Sequence, residues 1–295
     1  MFASTAMANV VADAERAAKT DLAVLILGET GTGKELIARR VHATGERHHA
    51  PFVPVNCGAL ADSLVESELF GHTRGAFTGA FAARKGLFHA ANNGTLFLDE
   101  VGELRRESQA KLLRVLEDGE VRAVGESRTK HVDLRVVAAS NRNLEQMVAG
   151  GDFRADLYHR LAGHVVTIPP LRARPDDIGL LARHFLDEMG STKQLLPETL
   201  DALLQHTWPG NVRELRNAVR SAATASRGAE IRARDLPVQA HLEAKEQPRD
   251  LSLLSYEEAA LREALECTGG NVSRAAATLG ISRATFYRKM HRHAG

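Results

Sequence analysis

The sequence contains little cysteine, few aromatic residues and almost no net charge. Its 295 residues include two cysteines, one tryptophan and 5% aromatic residues, and the formal net charge is +1. Cys57 and Cys267 lie far apart and in no metal-ligand spacing, which favours a reduced, cytosolic protein over a disulfide or metal scaffold. The near-zero charge excludes nucleic-acid binding over the whole surface, so any such function must be local.

Long apolar runs are also missing. The longest lies near Leu22–Leu27 and is far shorter than the roughly 20 residues of a membrane span. The N-terminal residues lack the basic region and long apolar core of a secretory signal. We therefore predict a cytoplasmic protein with no membrane partner. With 44% hydrophobic and 25% charged residues, the chain is expected to form one large or two to three small globular domains.

Short apolar segments alternate with helix-like segments over residues 1–170. The apolar segments are LAVLIL, FVPVN, TLFLDE and LRVVAASN, and this alternation predicts a doubly wound α/β domain with a parallel sheet. From Ile178 to about Leu236 the periodicity is helical without a strand-like run, which predicts a small helical subdomain over 171–237. The polar residues 238–252 are predicted to form a linker, and helical patterning returns over 253–295.

The segment GETGTGKE follows a predicted strand and opens a predicted helix. Gly28, Gly33 and Lys34 match the phosphate-loop pattern in the context that this pattern requires. Glycines let backbone amides surround phosphate oxygens, and Lys34 would pair with the outer phosphates of ATP. The generic motif has Ser or Thr after the lysine to hold Mg²⁺, whereas Glu35 stands here. The predicted nucleotide contacts are Gly28, Glu29, Thr30, Gly31, Thr32, Gly33, Lys34 and Glu35.

An acidic pair, Asp99 and Glu100, ends the apolar segment GTLFLDE. The carboxyl ends of parallel strands form the ligand-binding edge of such sheets. We expect Asp99 to hold Mg²⁺, directly or through water, and Glu100 to polarise the water that attacks the γ-phosphate. Asn141, at the end of AASN, is expected to hydrogen-bond this water or the γ-phosphate. Alone the pair could cap a helix, but together with the phosphate loop it indicates an ATPase.

Arg154 and Arg160 lie six residues apart in FRADLYHR, a spacing that does not place them on one helix face. They could be solvated surface arginines. One or both could instead reach the nucleotide of a neighbouring subunit as an arginine finger, a contact typically worth about 10³–10⁵ in rate. The sequence leaves open which of the two would do so.

Several motifs occur in one order: GETGTGKE, ELFGHTRGAFTGA, GTLFLDEVGEL, LRVVAASN, FRADLYHRL, IPPLRARPDDI and WPGNVRELRN. Together they resemble the AAA+ domain of the bacterial enhancer-binding proteins, the activators of sigma-54 RNA polymerase, over nearly the whole chain. The resemblance implies an AAA+ P-loop ATPase with a parallel sheet, a helical lid and an all-α helix–turn–helix domain, related to two-component-like response regulators. It implies binding to upstream double-stranded DNA, assembly from a dimer to a hexamer or heptamer, and ATP-driven opening of the sigma-54 closed complex. A glutamate at the position of Glu35 is usual in this family.

The resemblance also assigns roles to individual residues. Asn56 resembles the switch asparagine that restrains Glu100, and Arg213 resembles the lid arginine that senses the γ-phosphate. The segment EDGEVRAVGESRTKHVD resembles a second loop that moves with the GAFTGA loop. The GAFTGA loop would grip sigma-54 through its tip when the γ-phosphate is present, and its glycines would make it movable. The implied sigma-54 contacts are Gly75, Ala76, Phe77, Thr78, Gly79 and Ala80.

The sequence departs from the family in two ways. The lead-in to the phosphate loop is short, so no adenine-contacting residue can be named. No N-terminal regulatory domain precedes the ATPase, so the protein would be controlled in trans or by abundance, or the chain is truncated. Two other functions remain: a nucleotide-responsive scaffold that acts on other polymerase forms, and a general AAA+ remodeller such as a helicase loader. The intact ATPase residues disfavour the scaffold, and the GAFTGA loop in place of an aromatic pore loop disfavours the remodeller.

The C-terminal segment carries a local positive charge. From Asn271 onward there is no acidic residue, while arginine and lysine recur. Asn271 and Ser282 are predicted N-caps, and Gly270 and Gly280 predicted helix stops. The segment resembles a Fis-type helix–turn–helix that pairs through its first helix and inserts its last, about residues 282–291, into the major groove. The predicted DNA contacts are Arg274, Ser282, Arg283, Thr285, Arg288 and Lys289.

Overall fold

A five-stranded parallel sheet forms the centre of the N-terminal part of the chain. In this computed structural model, which describes residues 2–59, 62–77, 79–237, 261, 264, 268 and 271–292, the strand order is β2-β5-β8-β1-β9. The strands are β1 (Val24–Leu27), β2 (Phe52–Asn56), β5 (Thr95–Asp99), β8 (Arg135–Ser140) and β9 (His164–Thr167). The parallel pairing confirms the predicted doubly wound α/β fold. The edge strand β9 was not predicted, because HVVT is short and only one of its residues is buried.

Helices cover both faces of this sheet. They are α1 (Thr5–Ala18), α2 (Lys34–Thr44), α3 (Asp62–Phe70), α4 (Leu87–Ala90), α5 (Arg106–Asp118), α6 (Leu144–Ala149) and α7 (Ala155–Leu161). Because successive side chains of a strand point to opposite faces, β1 contributes to two cores. Val24 and Ile26 pack with residues of α1 and α2, whereas Leu25 packs with residues of the other helices. This double burial explains why the strand reads as a continuous apolar run.

Two short antiparallel hairpins interrupt the α/β pattern. The first pairs β3 (Gly71–His72) with β4 (Arg84–Lys85), and the second pairs β6 (Glu120–Val121) with β7 (Lys130–His131). The first hairpin carries the GAFTGA loop, and the second encloses most of EDGEVRAVGESRTKHVD. Both loops therefore start from paired strands rather than from free chain.

A helical subdomain follows the sheet, as the periodicity predicted. It contains α8 (Asp176–Glu188), α9 (Pro197–Gln205) and α10 (Asn211–Ala225), which share a core around the buried Trp208. The subdomain also contains a short pairing that the periodicity did not indicate, between β10 (Gln194–Leu195) and β11 (Glu230–Ile231). A two-residue pairing leaves no periodicity in the sequence from which it could be predicted.

The chain forms two compact units, Met1–Gln239 and Ala240–Gly295. The described helices of the second unit are α11 (Val272–Thr278) and α12 (Arg283–Arg292), which bury Ala275, Ala276 and Phe286. Asn271 and Ser282 act as the predicted N-caps, and Gly280 turns the chain at φ 67°. Gly270, the linker and most of the predicted first helix lie outside the described residues. Within the described part of the chain, no helix has the length and apolarity needed to cross a bilayer.

Candidate functional site

The phosphate loop lies between β1 and α2. Gly31 and Gly33 have φ values of 79° and 102°, a region that L-residues rarely adopt. The Lys34 side chain is buried, and its Nζ donates to the carbonyl oxygens of Gly28 at 2.9 Å and Glu29 at 3.2 Å. Burial lowers the pKa of Lys34, while the nearby carboxylates Asp99 and Glu100 oppose this shift. The loop thus holds a buried ammonium group among carbonyls, ready to pair with a phosphate.

The acidic pair lies beside this loop, at the carboxyl edge of the sheet. Burial raises the pKa of Asp99, and the charge of Lys34 opposes the shift. Glu100 adopts φ 56° and donates its main-chain N–H to Asp99 Oδ1 at 3.1 Å. A non-glycine residue in this region is strained, and such strain concentrates at functional sites. The turn at the end of β5 therefore points the carboxylates of Asp99 and Glu100 in different directions.

Asn56 ends β2 and Asn141 directly follows β8, the strands on either side of β5. Asn56 Oδ1 accepts hydrogen bonds from the N–H groups of Gly58 and Ala59, both at 2.9 Å. This turn lies against Glu100, since a Cβ atom on Gly58 would be 2.5 Å from Glu100 Oε2. From the other side, Asn141 Nδ2 donates to Thr30 Oγ1 at 3.0 Å. Both predicted asparagines therefore lie at the same edge as the acidic pair and the phosphate loop.

These residues fit ATP and Mg²⁺. Magnesium usually binds through one or two carboxylates, several waters and substrate phosphates. Asp99 and Glu100 can provide the carboxylates. In the described residues, no group of three or more His, Cys, Asp or Glu forms an all-protein metal cage. Glu35, which replaces the usual Ser or Thr, pairs with Arg39 at 2.7 Å on the exposed side of α2. Asp99 and Glu100 could therefore hold a cation together with nucleotide phosphates and water.

The two candidate finger arginines lie at opposite ends of α7. Arg154 precedes the helix and pairs with Asp156 at 2.7 Å. Arg160 lies in the last turn and donates to the carbonyl of Leu116 at 3.0 Å through Nε and 2.8 Å through Nη2. The two arginines therefore contact different groups within the subunit, and the finger role of one or both stays a prediction.

Residues of the lid touch the phosphate loop directly, which the sequence did not indicate. A Cβ atom on Gly31 would lie 3.1 Å from Cβ of Arg213, the predicted sensing arginine. Arg172 forms two hydrogen bonds with the Glu29 carboxylate, at 2.9 and 2.6 Å, and Asn211 donates to the same carboxylate at 3.0 Å. Together they lower the pKa of Glu29 to about 2. Arg172 and Asn211 both lie inside recognised motifs. Neither their residue types nor their spacing predicts contacts with Glu29, which lies more than 140 residues earlier in the chain.

The GAFTGA loop is closed at its base and partly covered at its tip. Gly75 N–H donates to Ala80 O at 2.8 Å, and nothing lies within 4 Å of a Cβ placed on Gly75 or Gly79. Phe77 is 37% exposed, because its ring meets the His72 ring edge-on with centroids 5.1 Å apart. Thr78 lies outside the described residues. The predicted sigma-54 contact of this loop stays a prediction.

The second loop is joined to the base of the first by main-chain hydrogen bonds. Val124 N–H donates to Gly71 O at 2.8 Å, and Thr73 N–H donates to Val124 O at 3.0 Å. Gly125 leaves no room for a side chain, since a Cβ would lie 2.9 Å from Cβ of Ala76. The described parts of the two loops are therefore in direct contact at their bases.

The predicted DNA-contacting residues surround the turn between α11 and α12. Ser282 Oγ and Thr285 Oγ1 are 2.8 Å apart and stabilise the start of α12, while Phe286 is buried beneath them. The three arginines among the predicted contacts are exposed around this turn. Four of the predicted contact residues are exposed, namely Arg274, Ser282, Arg283 and Arg288, and two are partly buried, namely Thr285 and Lys289.

The parallel sheet, the phosphate loop with its buried lysine and the acidic pair at the next strand end define a P-loop ATPase with an AAA+ type lid. Comparisons with known proteins agree. The chain matches the Sigma-54 interaction domain family over residues 1–168, the AAA+ ATPase lid domain family over 172–252 and the Fis family of bacterial regulatory proteins over 255–293.

Individual relatives cover most of the chain. Regulatory protein AtoC of Escherichia coli is 44% identical over 98% of this chain and 66% of its own length. The Nif-specific regulatory protein of Rhodobacter capsulatus is 51% identical over 79% of this chain and 41% of its own length. A crystal structure of NtrX from Brucella abortus in complex with ATP superimposes with a TM-score of 0.78 at 35% identity, covering 99% of this chain and 68% of that one. The chain thus spans about two thirds of the length of AtoC and NtrX.

The chain belongs to the sigma-54-dependent enhancer-binding proteins, AAA+ transcriptional regulators with a Fis-type helix–turn–helix. This confirms the resemblance seen in its motifs and the predicted fold class.

Proposed function

We propose that this chain hydrolyses ATP and uses the energy to convert the closed complex of sigma-54 RNA polymerase to an open complex. The observation that carries the proposal is the convergence of Lys34, Asp99, Glu100 and Asn141 at one sheet edge. The ATP complex of the similar NtrX structure supports the choice of nucleotide.

Each residue has a distinct part in this activity. Lys34 neutralises charge on the outer phosphates, while the loop amides bind their oxygens. Glu100 orients and deprotonates the attacking water, Asn141 fixes its position, and Asn56 holds the turn against which Glu100 lies. Asp99 would hold Mg²⁺, which when bound would neutralise the developing charge on the phosphate oxygens. Arg213 from the lid and Arg154 or Arg160 from a neighbouring subunit complete the charge stabilisation.

The partners follow from the other elements. The loop Gly75–Ala80 contacts sigma-54, and its main-chain link to the second loop lets both move together. The basic face of α12 binds upstream double-stranded DNA. Because the arginine finger acts between subunits, the working form is an oligomer in the cytoplasm, which assembles from a dimer to a hexamer or heptamer. We propose domain boundaries at residues 1–170, 171–237, 238–252 and 253–295.

Binding of the purified protein to sigma-54 tests the proposal. The complex should form with ADP–aluminium fluoride, a mimic of the transition state, and not with ADP. Thr78→Ala should hydrolyse ATP at the unchanged rate yet form no complex. A protein that hydrolyses ATP but binds sigma-54 with neither nucleotide would refute the proposed partner. If Thr78→Ala lost both ATP hydrolysis and sigma-54 binding, the assigned role of the loop would be refuted.

A further inference from the structure

The lid helix α10 has no side-chain cap of its own. Its N-cap residue is Gly210, which has no side chain to accept from the free N–H groups of the first turn. The N–H groups of Val212 and Arg213 instead donate to Gly31 O of the phosphate loop, at 3.0 and 3.3 Å. Unpaired N–H groups at a helix start must be satisfied by some acceptor. Here the phosphate loop supplies it, so the start of α10 is fixed to that loop.

Asn211 completes this connection. It is fully buried and adopts φ 52°. Its Oδ1 accepts from Leu171 N–H at 2.7 Å, at the point where the chain enters the lid. Its Nδ2 donates to Thr30 O at 3.1 Å and to Glu29 Oε2 at 3.0 Å. One side chain thus joins the lid entry, the start of α10 and the phosphate loop.

Two further contacts act at the same place. The Arg172 guanidinium binds the Glu29 carboxylate through two nitrogens, a geometry that gives strong and directional pairing. Gly31 and Gly210 approach so closely that a Cβ on Gly31 would lie 2.3 Å from Gly210 O. Three consecutive loop residues, Glu29, Thr30 and Gly31, are therefore held by the lid.

We propose that Asn211 is a positioning residue that clamps the lid onto the phosphate loop, and that this clamp limits the rate at which ADP leaves. The proposal rests on the nucleotide site proposed above. A nucleotide held by the loop and covered by the lid that carries Arg213 leaves only when the two separate. Separation breaks the Asn211 and Arg172 contacts and removes the cap of α10. The lid therefore opens as a cooperative step rather than as a loose hinge.

Exchange of the hydrogen-bonding groups gives a direct test. In Asn211→Asp the new residue tolerates the left-handed backbone and still accepts from Leu171 N–H. It loses the donor to Thr30 and places a carboxylate against Glu29. Adding Glu29→Gln restores a donor and acceptor pair with reversed polarity. Release of a fluorescent ADP analogue, measured by stopped flow, should be roughly tenfold faster in Asn211→Asp, as expected for loss of a hydrogen bond to a charged group. The double variant should recover part of this loss, because Glu29→Gln also weakens the Arg172 pair and Thr30 O stays without this donor.

A matched control separates the clamp from general lid stability. Thr199→Val removes a buried hydrogen bond to Ile231 O of 2.7 Å that lies wholly within the lid. It should lower the thermal midpoint while leaving ADP release unchanged. Equal acceleration in Thr199→Val and Asn211→Asp, or no recovery in the double variant, would overturn the proposal. So would wild-type release from Asn211→Asp.

Surface variants keep the test valid if Asn211→Asp does not fold. Arg172→Met removes an exposed clamp contact, and Arg216→Met removes a similar exposed pair with Glu188, at 3.2 Å within the lid. ADP release should accelerate several-fold only in Arg172→Met, and equal rates in both would overturn the clamp. Binding of the ADP analogue to the wild-type protein is measured first. Its absence would refute the nucleotide site itself, which distinguishes that failure from a failure of the clamp.

Discussion

Replacing Gly31 with alanine should detach the lid from the phosphate loop even without nucleotide. The added Cβ would lie 2.3 Å from Gly210 O, a distance that real Cβ atoms do not adopt, and the neighbour is backbone that cannot rotate away. Gly33 provides the matched comparison. It too has a positive φ, but its added Cβ would meet only Leu36 Cδ1, at 3.9 Å. The two substitutions share backbone strain and differ in the contact with the lid.

The expected magnitudes follow from these two terms. An alanine in the left-handed region costs about 1–2 kcal/mol. Gly33→Ala should lose this amount alone. Gly31→Ala adds an overpacking term of about 1–3 kcal/mol, so its total loss should be roughly 2–5 kcal/mol. The difference between the two variants measures how tightly the lid is docked on the loop.

Trp208 makes this difference measurable in the lid itself. It is the single tryptophan of the chain, it is fully buried in the lid core, and its Nε1 donates to Leu203 O at 2.8 Å. Urea unfolding of the nucleotide-free protein, followed by tryptophan emission, therefore reports the lid. The midpoint should fall further in Gly31→Ala than in Gly33→Ala. Equal midpoints would show that the lid does not press on the loop, and the reasoning would fail.

Three further predictions concern catalysis, subunit contacts and pH. Glu100→Gln should bind ATP with unchanged affinity and lose about 10²–10⁴ in turnover, as for removal of a general base; turnover near the wild-type rate would contradict its role. Arg154→Met and Arg160→Met should each be mixed with Glu100→Gln to show which arginine is the finger. A finger variant keeps its own Glu100 and can take its finger from a neighbouring Glu100→Gln subunit, so the mixture should recover ATPase activity that neither variant has alone. Glu29→Gln should lower the urea midpoint above pH 4.5, and this difference should vanish as the pH falls toward about 2, because the folded-state pKa of Glu29 is depressed; a pH-independent difference would refute this.

The sheet and the phosphate site could be predicted because their signals are local. Lys34 directly follows its glycines, Asp99 ends a buried strand and Glu100 follows it. Their positions in the sequence therefore predict that they lie together at the carboxyl edge of the sheet. The lid contacts could not be predicted in the same way. Asn211 reads as an ordinary residue at a helix start, and Arg172 as a surface arginine. Their partners are set by how the lid packs, which no local pattern encodes.

The loop residues show the same limit at shorter range. Gly75 and Gly79, which were expected to make the loop movable, have positive φ angles and no atom within 4 Å of an added Cβ. Phe77 was expected at the contact tip, which stays a prediction; its ring packs on His72, whose Nδ1 lies 2.6 Å from Ser67 Oγ of α3. This packing depends on the pairing of β3 with β4, which holds His72 beside α3. Residue type alone therefore indicates exposure less well than it indicates backbone conformation.

The hydrogen-bonded link between the two loops has a practical use as a reporter position. Val124 and Gly125 are fixed against the GAFTGA hairpin, whereas Ser127 is exposed and lies outside these contacts. A dye attached at Ser127→Cys would move with the hairpin while leaving Phe77 free to bind. The native Cys57 would not compete, because it is buried and burial raises the pKa of its thiol to about 12. With Cys267 replaced by serine, such a label would report in real time the proposed movement of the two loops during ATP hydrolysis.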